Sequence, residues 1–265
     1  MPVPHRSARL VAWSNAVALG LASPDLAAAE VVGADPPHRV LGLDGDSAVS
    51  MPVLLAMVRR LGRPTARLAL PVPGDPVGLS AAEPLSAAAL AAGEVAVLPD
   101  ISATSPDAAP ASPGAWGLVP TVDDTGVRWT AYRTAGFLPT NGATSLGEAD
   151  TGLARTLREA TDVLDRLDAA TWTGDDADEL AALRAGRLDG DGLAPGYPDR
   201  AAAVLVRARR LRGIVRLASR DDGGTLTSSA AAQRVAALGP LDRAARHAEM
   251  AAYNAVADSR PPSQP

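Results

Sequence analysis

The chain changes its hydrophobic period twice, and those changes mark its parts. Leu10, Trp13, Val17 and Leu21 recur at helical spacing and predict a helix over residues 8–21. Ser23-Pro24-Asp25 then restarts the chain with a capping hydroxyl, a proline at the first helical position and an acid at the positive end of the dipole. A second helix follows to about Val32, closed by Gly33. Such a pair either packs on a sheet or forms a helix-turn-helix. From residue 39 the pattern shortens. Residues 39–43 are an apolar run ending in Asp44-Gly45-Asp46-Ser47, which predicts a strand entering a turn. Helical spacing returns over 51–61 and stops at Gly62 and Pro64. Residues 66–72 predict a strand entering Pro73-Gly74-Asp75-Pro76. Residues 84–92 predict an alanine helix ended by Gly93, and 95–98 a strand entering Pro99-Asp100. Strand, helix, strand, helix, strand favours parallel pairing of these three strands through right-handed crossovers. After a Ser/Thr/Pro-rich stretch at 102–114, read as a flexible surface loop, two apolar runs at 116–122 and 127–133 flank Asp123-Asp124-Thr125-Gly126. They predict a hairpin.

Beyond Gly147 the period is almost purely helical. Leu153, Leu157, Ala160, Leu164 and Leu167 form one stripe; residues 177–188 form a shorter helix; Val204, Ala208, Leu211, Val215 and Ala218 form another stripe. Residues 227–238 and 241–257 predict two more helices with Gly239-Pro240 breaking between them. The expected architecture is α+β. Residues 1–138 form a helix pair with a small mixed β-sheet of about five strands, 139–147 a linker, 148–258 a helical C-terminal region, and 259–265 a disordered tail.

Composition narrows the chemistry. All 25 basic residues are arginine, cysteine is absent, and the histidines are three: His5, His38 and His247. Thiolate chemistry, disulfides, Cys-ligated zinc, Schiff-base lysine and the lysine-dependent phosphate loop are therefore excluded. Avoidance of Lys, Ile and Phe with abundant Ala, Arg, Gly and Pro is what a very GC-rich genome produces. A net charge of −5 argues against non-specific nucleic-acid binding by the whole chain. No run of 18 apolar residues offers a membrane span. Trp13, Ser14 and Asn15 interrupt the one stretch that resembles a signal peptide, so a cytoplasmic protein is expected.

Two constellations carry chemistry. Asp44 and Asp46, one residue apart at the end of an apolar strand, stand where α/β folds hold Mg2+ and a phosphoryl group. If the strands ahead of Asp75 and Asp100 lie parallel and adjacent to the first, all four carboxylates share one rim as metal ligands, with Asp44 and Asp46 catalytic. The same residues also serve as ordinary turn formers after strands. Arg209, Arg212, Arg216 and Arg220 share one helical face and could grip an acidic partner or phosphates. Acidic residues at Glu148, Glu159, Asp162, Asp165 and Asp168 offer the competing reading of internal or solvated ion pairs. Trp116, Trp129 and Tyr132 could line a pocket, though as core anchors they fill an interior of small side chains. The histidines have no partner at metal-ligand spacing, and no Gly-x-Ser-x-Gly elbow supports a triad.

Asp44-x-Asp46-Ser47 resembles the opening motif of haloacid-dehalogenase-type phosphatases. The likeness covers about eight residues, and Pro71 stands where that family expects a hydroxyl at the end of a second strand. The phrases Leu10-Val-Ala-Trp-Ser-Asn-Ala, Leu70-Pro-Val-Pro-Gly-Asp-Pro and Pro240-Leu-Asp-Arg-Ala-Ala-Arg are similar to a group of uncharacterised actinobacterial proteins, over most of the chain. That resemblance implies a source and no chemistry. The leading expectation is a non-catalytic interaction or adaptor protein with a protein partner and no cofactor. A Mg2+-dependent phosphohydrolase or phosphoryl-transfer enzyme at Asp44 and Asp46 is the second, and a nucleic-acid accessory protein using the arginine face the third.

Overall fold

The hairpin at Asp123-Asp124-Thr125-Gly126 is the centre of the sheet. In the computed structural model, which describes residues 5–43, 45, 47–79, 83–101, 114–134, 144–164, 193–220 and 228–258, strands β5 (Ala115–Asp123) and β6 (Gly126–Thr134) pair antiparallel along their full length. Asp123 builds the turn: its Oδ1 accepts from the Thr125 backbone N–H at 2.8 Å and the Thr125 hydroxyl at 2.5 Å. Gly126 sits at φ +137°, and a Cβ there would run into the Pro37 carbonyl, so both conformation and space require glycine.

Around the hairpin lie β1 (His38–Leu41), β2 (Val49–Ser50), β3 (Arg67–Ala69) and β4 (Val95–Pro99), in the order β2-β1-β6-β5-β4-β3. The sheet is mixed, as expected, but its parallel pairing is not where the element order placed it. β3 and β4 are antiparallel neighbours, and β1 is separated from β4 by the hairpin. Among the described residues the one parallel pair is β1 with β6. The reason lies in the connections. Residues 70–83 are long enough to carry the chain back along the sheet before the next helix starts. A β3-to-β4 link of that kind does not force a crossover. The strand expected over 66–72 shortens to 67–69, because Pro71 has no N–H for a ladder and Val72 and Asp75 close a tight turn through reciprocal backbone bonds of 3.1 and 2.9 Å.

Helices α1 (Arg6–Ala18), α3 (Met51–Arg59) and α4 (Pro84–Ala92) pack on this sheet, and α2 (Pro24–Val32) packs on α1 and α3. Strand alternation sorts the two faces. Ala69, Val95, Val97, Ala115 and Val119 pack with Leu85 and Ala89 of α4. Gly117 faces them too; a Cβ there would meet the Leu85 side chain, so the missing side chain lets α4 approach the sheet. The opposite face, with Leu98, Leu118 and Trp129, is buried on the α1 side. Ser23 caps α2 by accepting from the Leu26 N–H at 3.2 Å. α1 has no such local cap. The buried Glu94 takes that role from 87 residues away, its Oε2 accepting from the Ser7 N–H at 2.6 Å at the positive end of the helix.

Residues 144–164 and 199–252 form a second compact unit, while 193–198 and 253–258 belong with the sheet unit. The second unit contains α5 (Leu146–Leu164), α6 (Asp199–Arg220) and α7 (Ser228–Asp258) up to Ala252. Ser145 and Glu148 start α5 as a reciprocal capping box, with Ser145 N–H to Glu148 Oε2 at 2.9 Å and Glu148 N–H to Ser145 Oγ at 3.3 Å. The break expected at Gly239-Pro240 does not occur: α7 runs through Pro240 as one helix. Proline removes one backbone bond, and the burial of Leu238 and Leu241 on either side offsets that loss. The flexible loop expected at 102–114 (apart from Gly114), the linker apart from 144–147, the helix at 177–188 and the tail all lie outside the described residues.

Candidate functional site

Of the four carboxylates expected on one rim, the two described, Asp75 and Asp100, are not brought together. Asp44 and Asp46 lie outside the described residues. Asp75 follows β3 and Asp100 follows β4, and because these strands are antiparallel the two aspartates fall at opposite ends of the sheet. The turn after β1 shares an end with Asp100, but the hairpin intervenes. Three strand spacings separate them, roughly 14 Å. Asp100 is instead committed to Arg133, whose two terminal nitrogens donate to its Oδ2 at 3.2 Å each, with the same guanidinium 4.8 Å above the Trp116 ring. Among the described residues no three His, Asp or Glu side chains gather as for a metal ion.

The arginine face is likewise not an open stripe. Glu249 of α7, 3% exposed, accepts from Arg212 at 2.6 Å and pairs with Arg209 at 3.5 Å. Arg212 also reaches Asp242 at 3.7 Å. Arg216 is half-buried, and for Arg220 the helix backbone alone is described. The neighbouring Arg207 pairs with Asp150 of α5, joined by Arg200 at 3.5 Å. The competing reading, ion pairs inside the helical unit, therefore accounts for Arg209 and Arg212. Nor do the aromatic residues share a pocket. Tyr132 is registered with Gly117 on the α4 face, whereas Trp116 and Trp129 lie on the other.

What the sheet does present is a cleft. α4 packs on β5 and β6, leaving Arg39, Thr121 and Arg128 exposed on the same face. A cavity of about 230 Å3 opens there, lined by Arg39, Leu41, Ala48, Thr125, Val127 and Arg128. Arg39 and Arg128 are direct register partners across the parallel β1–β6 pair. Like charges placed opposite each other on neighbouring strands repel. One carboxylate, Asp123, pairs with Arg128, while Arg39 donates to the Thr125 carbonyl at 3.3 Å. Hydrogen bonds from Thr125 and the Arg128 charge hold the Asp123 carboxyl below the usual carboxylate range. Two guanidiniums thus stand at the mouth of a small concave surface, Arg128 held by the Asp123 carboxylate and Arg39 by a backbone carbonyl.

Behind the cleft, on the other face of the same strand pair, lies a buried polar cluster. Asp35, in the turn before β1, accepts from Arg6 Nε and Nη2 at 2.9 Å each and from Arg9 at 2.5 Å. Burial would lift the Asp35 carboxyl, but Arg6 and Arg9 hold it below the usual range. His38 follows, its side chain fully buried, with Nε2 3.6 Å from Asp35 Oδ2 and Nδ1 accepting from the Trp129 indole N–H at 3.3 Å. Sequence reasoning passed over Arg39, Arg128, Asp35 and this role of His38. Each is an unremarkable polar residue in its own segment, and only the β1–β6 pairing, 91 residues apart at His38 and Trp129, makes a site of them.

The fold and cleft define a two-unit α+β protein whose described ionisable groups are largely spent on internal pairs. The chain matches the family models described as the Rv1486c-like protein N-terminal domain over residues 7–144 and C-terminal domain over residues 147–250. It belongs to that family. Two relatives from Mycobacterium tuberculosis, "Uncharacterized protein MT1533" of strain CDC 1551 / Oshkosh and "Uncharacterized protein Rv1486c" of strain ATCC 25618 / H37Rv, are each 29% identical over 296 residues. The alignments cover 96% of this chain and 97% of each relative. No solved structure matches the chain. No helix among the described residues is long and apolar enough to cross a membrane.

Proposed function

We propose that this chain is a non-catalytic interaction protein of the bacterial cytoplasm, which docks an acidic segment of a partner protein at the Arg39–Arg128 cleft. The observation that carries this reading is the pair of exposed arginines in register on one sheet face, Arg128 paired with Asp123 and Arg39 with the Thr125 carbonyl, beside a cavity of about 230 Å3. A partner carboxylate placed there supplies the missing counter-charge and relieves the repulsion between the two strands. Leu41 and Ala48 give the same cleft an apolar margin for the partner's neighbouring side chains.

Affinity purification of the tagged protein from a GC-rich actinobacterial host, read by mass spectrometry, tests this. The expected result is a stoichiometric partner that binds through an acidic segment. The double reversal Arg39→Glu with Arg128→Glu removes it without changing thermal stability by more than a degree or two. Recovery of the chain with no partner, or a partner equally retained by the double reversal, overturns the reading.

A further inference from the structure

The β1–β6 pair that carries the cleft arginines on one face carries a buried imidazole on the other, and the imidazole's hydrogen bond to Trp129 fits its neutral form. Trp129 donates its indole N–H to His38 Nδ1 at 3.3 Å, so Nδ1 carries a lone pair and the single ring proton sits on Nε2. Nε2 points toward Asp35 Oδ2 at 3.6 Å, beyond hydrogen-bond length, and that carboxylate is already engaged by Arg6 and Arg9. A second proton on the ring must go to Nδ1. There it meets the Trp129 N–H head on, two donors with no acceptor between them. Indole nitrogen has no lone pair to offer in return, so the contact cannot be rebuilt by flipping a proton. The charged groups facing the ring are Arg6 and Arg9 from α1 and Asp35 from the turn after α2. β6 presents the uncharged Trp129, and the buried residues of α3 are Met51, Leu54, Leu55 and Val58. A protonated His38 would be a third cation beside one part-buried carboxylate.

We propose that His38 is an acid-sensitive latch on the β1–β6 pairing: in its neutral form it accepts from Trp129, and its protonation breaks that bond and loosens the two strands. Burial pushes the imidazole below its ordinary range; Asp35 opposes that, and Arg9 and Arg6 add to it. The sign follows. The folded state resists a proton that the unfolded chain takes up near pH 6.5, so the contribution is full above that value and is lost as the pH falls below it. One such group lowers the folded-to-unfolded ratio by up to about tenfold per pH unit in that window. The inference stands apart from what occupies the cleft.

Proton NMR of the intact chain from pH 8 to 5 tests it. The His38 Hε1 resonance and the Trp129 indole N–H resonance, assigned through His38→Asn and Trp129→Phe, are followed with His5 and His247 as internal references. The expected result is a His38 midpoint below 6.5 and a Trp129 indole signal that shifts or broadens at that same midpoint. His38→Asn places an amide oxygen where Nδ1 accepts, and its melting temperature is expected to be flat between pH 7 and 5 where the wild type falls. Should that variant not fold, the wild-type titration decides alone. A His38 that titrates at or above 6.5 in the folded chain, or an indole signal indifferent to its titration, overturns the latch.

Discussion

Two asparagines do the same job on the edge of the sheet. Asn15 of α1 accepts from the Ala66 N–H at 3.0 Å and donates to the Ala66 carbonyl at 3.1 Å. Asn254 of α7 does both to Leu68 at 2.8 and 3.1 Å. Ala66 and Leu68 are two residues apart, so their peptide groups face the same way, outward from edge strand β3. Each carboxamide imitates a neighbouring strand for one residue. Replacing Asn15 with alanine buries an unpaired N–H and C=O, at a cost of about 1–3 kcal/mol. Aspartate keeps the acceptor but loses the donor and buries a charge, so Asn15→Asp should unfold at lower urea concentration than Asn15→Ala. An Asn15→Ala midpoint equal to that of the wild type would show that the backbone pairing contributes nothing. The same scale governs Asp35. Asp35→Asn leaves Arg6 and Arg9 without their counter-ion and should cost on the order of 3 kcal/mol at pH 7. The Asp35 carboxyl is held low in the fold, so its contribution is full above about pH 3.8 and is lost as the pH falls further. The wild type should therefore lose stability in two acid steps, and Asp35→Asn should lack the lower one in a series of thermal melts.

At the scale of elements, the sequence was legible wherever one segment decided its own fate. The hairpin, the Ser23 cap and the period changes at 39 and 147 are local physics, and the structure contains each. Strand partnership is not local. Nothing in residues 39–43 or 95–98 announces that a hairpin more than a dozen residues further on will be inserted between them. The parallel reading therefore failed, although every strand in it exists. The candidate cleft shows the same non-local origin. Asp44 and Asp46 drew attention because their spacing is visible in the chain; Arg39 and Arg128 became neighbours only through β1–β6 register. Gly117 shows how tightly two elements can depend on one absent side chain. Gly117→Ala should push α4 off the sheet through Leu85 and cost about 1–3 kcal/mol. Leu85→Val in the same chain should recover part of that loss. A double-mutant cycle in chemical denaturation measures the coupling, and additive effects would mean that α4 does not rest on β5 through this contact.

The whole molecule is organised so that the end of the chain completes the fold begun at its start. The sheet unit spans residues up to 143, yet it also takes 193–198 and 253–258. Tyr197 donates its hydroxyl to the Tyr253 carbonyl at 2.7 Å, Asn254 covers Leu68, and Asp258 pairs with Arg67. The C-terminal family match ends at residue 250, close to where the helical unit gives way at Ala252. The last turns of α7 thus serve the sheet and not the unit that precedes them. A chain ended after Ala252 loses the buried Tyr253 with its bond from Tyr197, both Asn254 bonds and the Arg67–Asp258 pair together, and leaves Leu68 on the edge strand uncovered. The expected loss is about 2–4 kcal/mol in the sheet unit, read as an earlier fluorescence transition of Trp116 and Trp129. Concentration-dependent association should accompany it, because the bare β3 edge is a template for another strand. Asn254→Ala in the full-length chain separates the two effects: it should reproduce roughly half of the destabilisation while Asp258 still covers Arg67. A truncated chain that melts like the full one and stays monomeric would mean that the Asn15 contact alone secures the edge. The second asparagine would then be redundant to the fold.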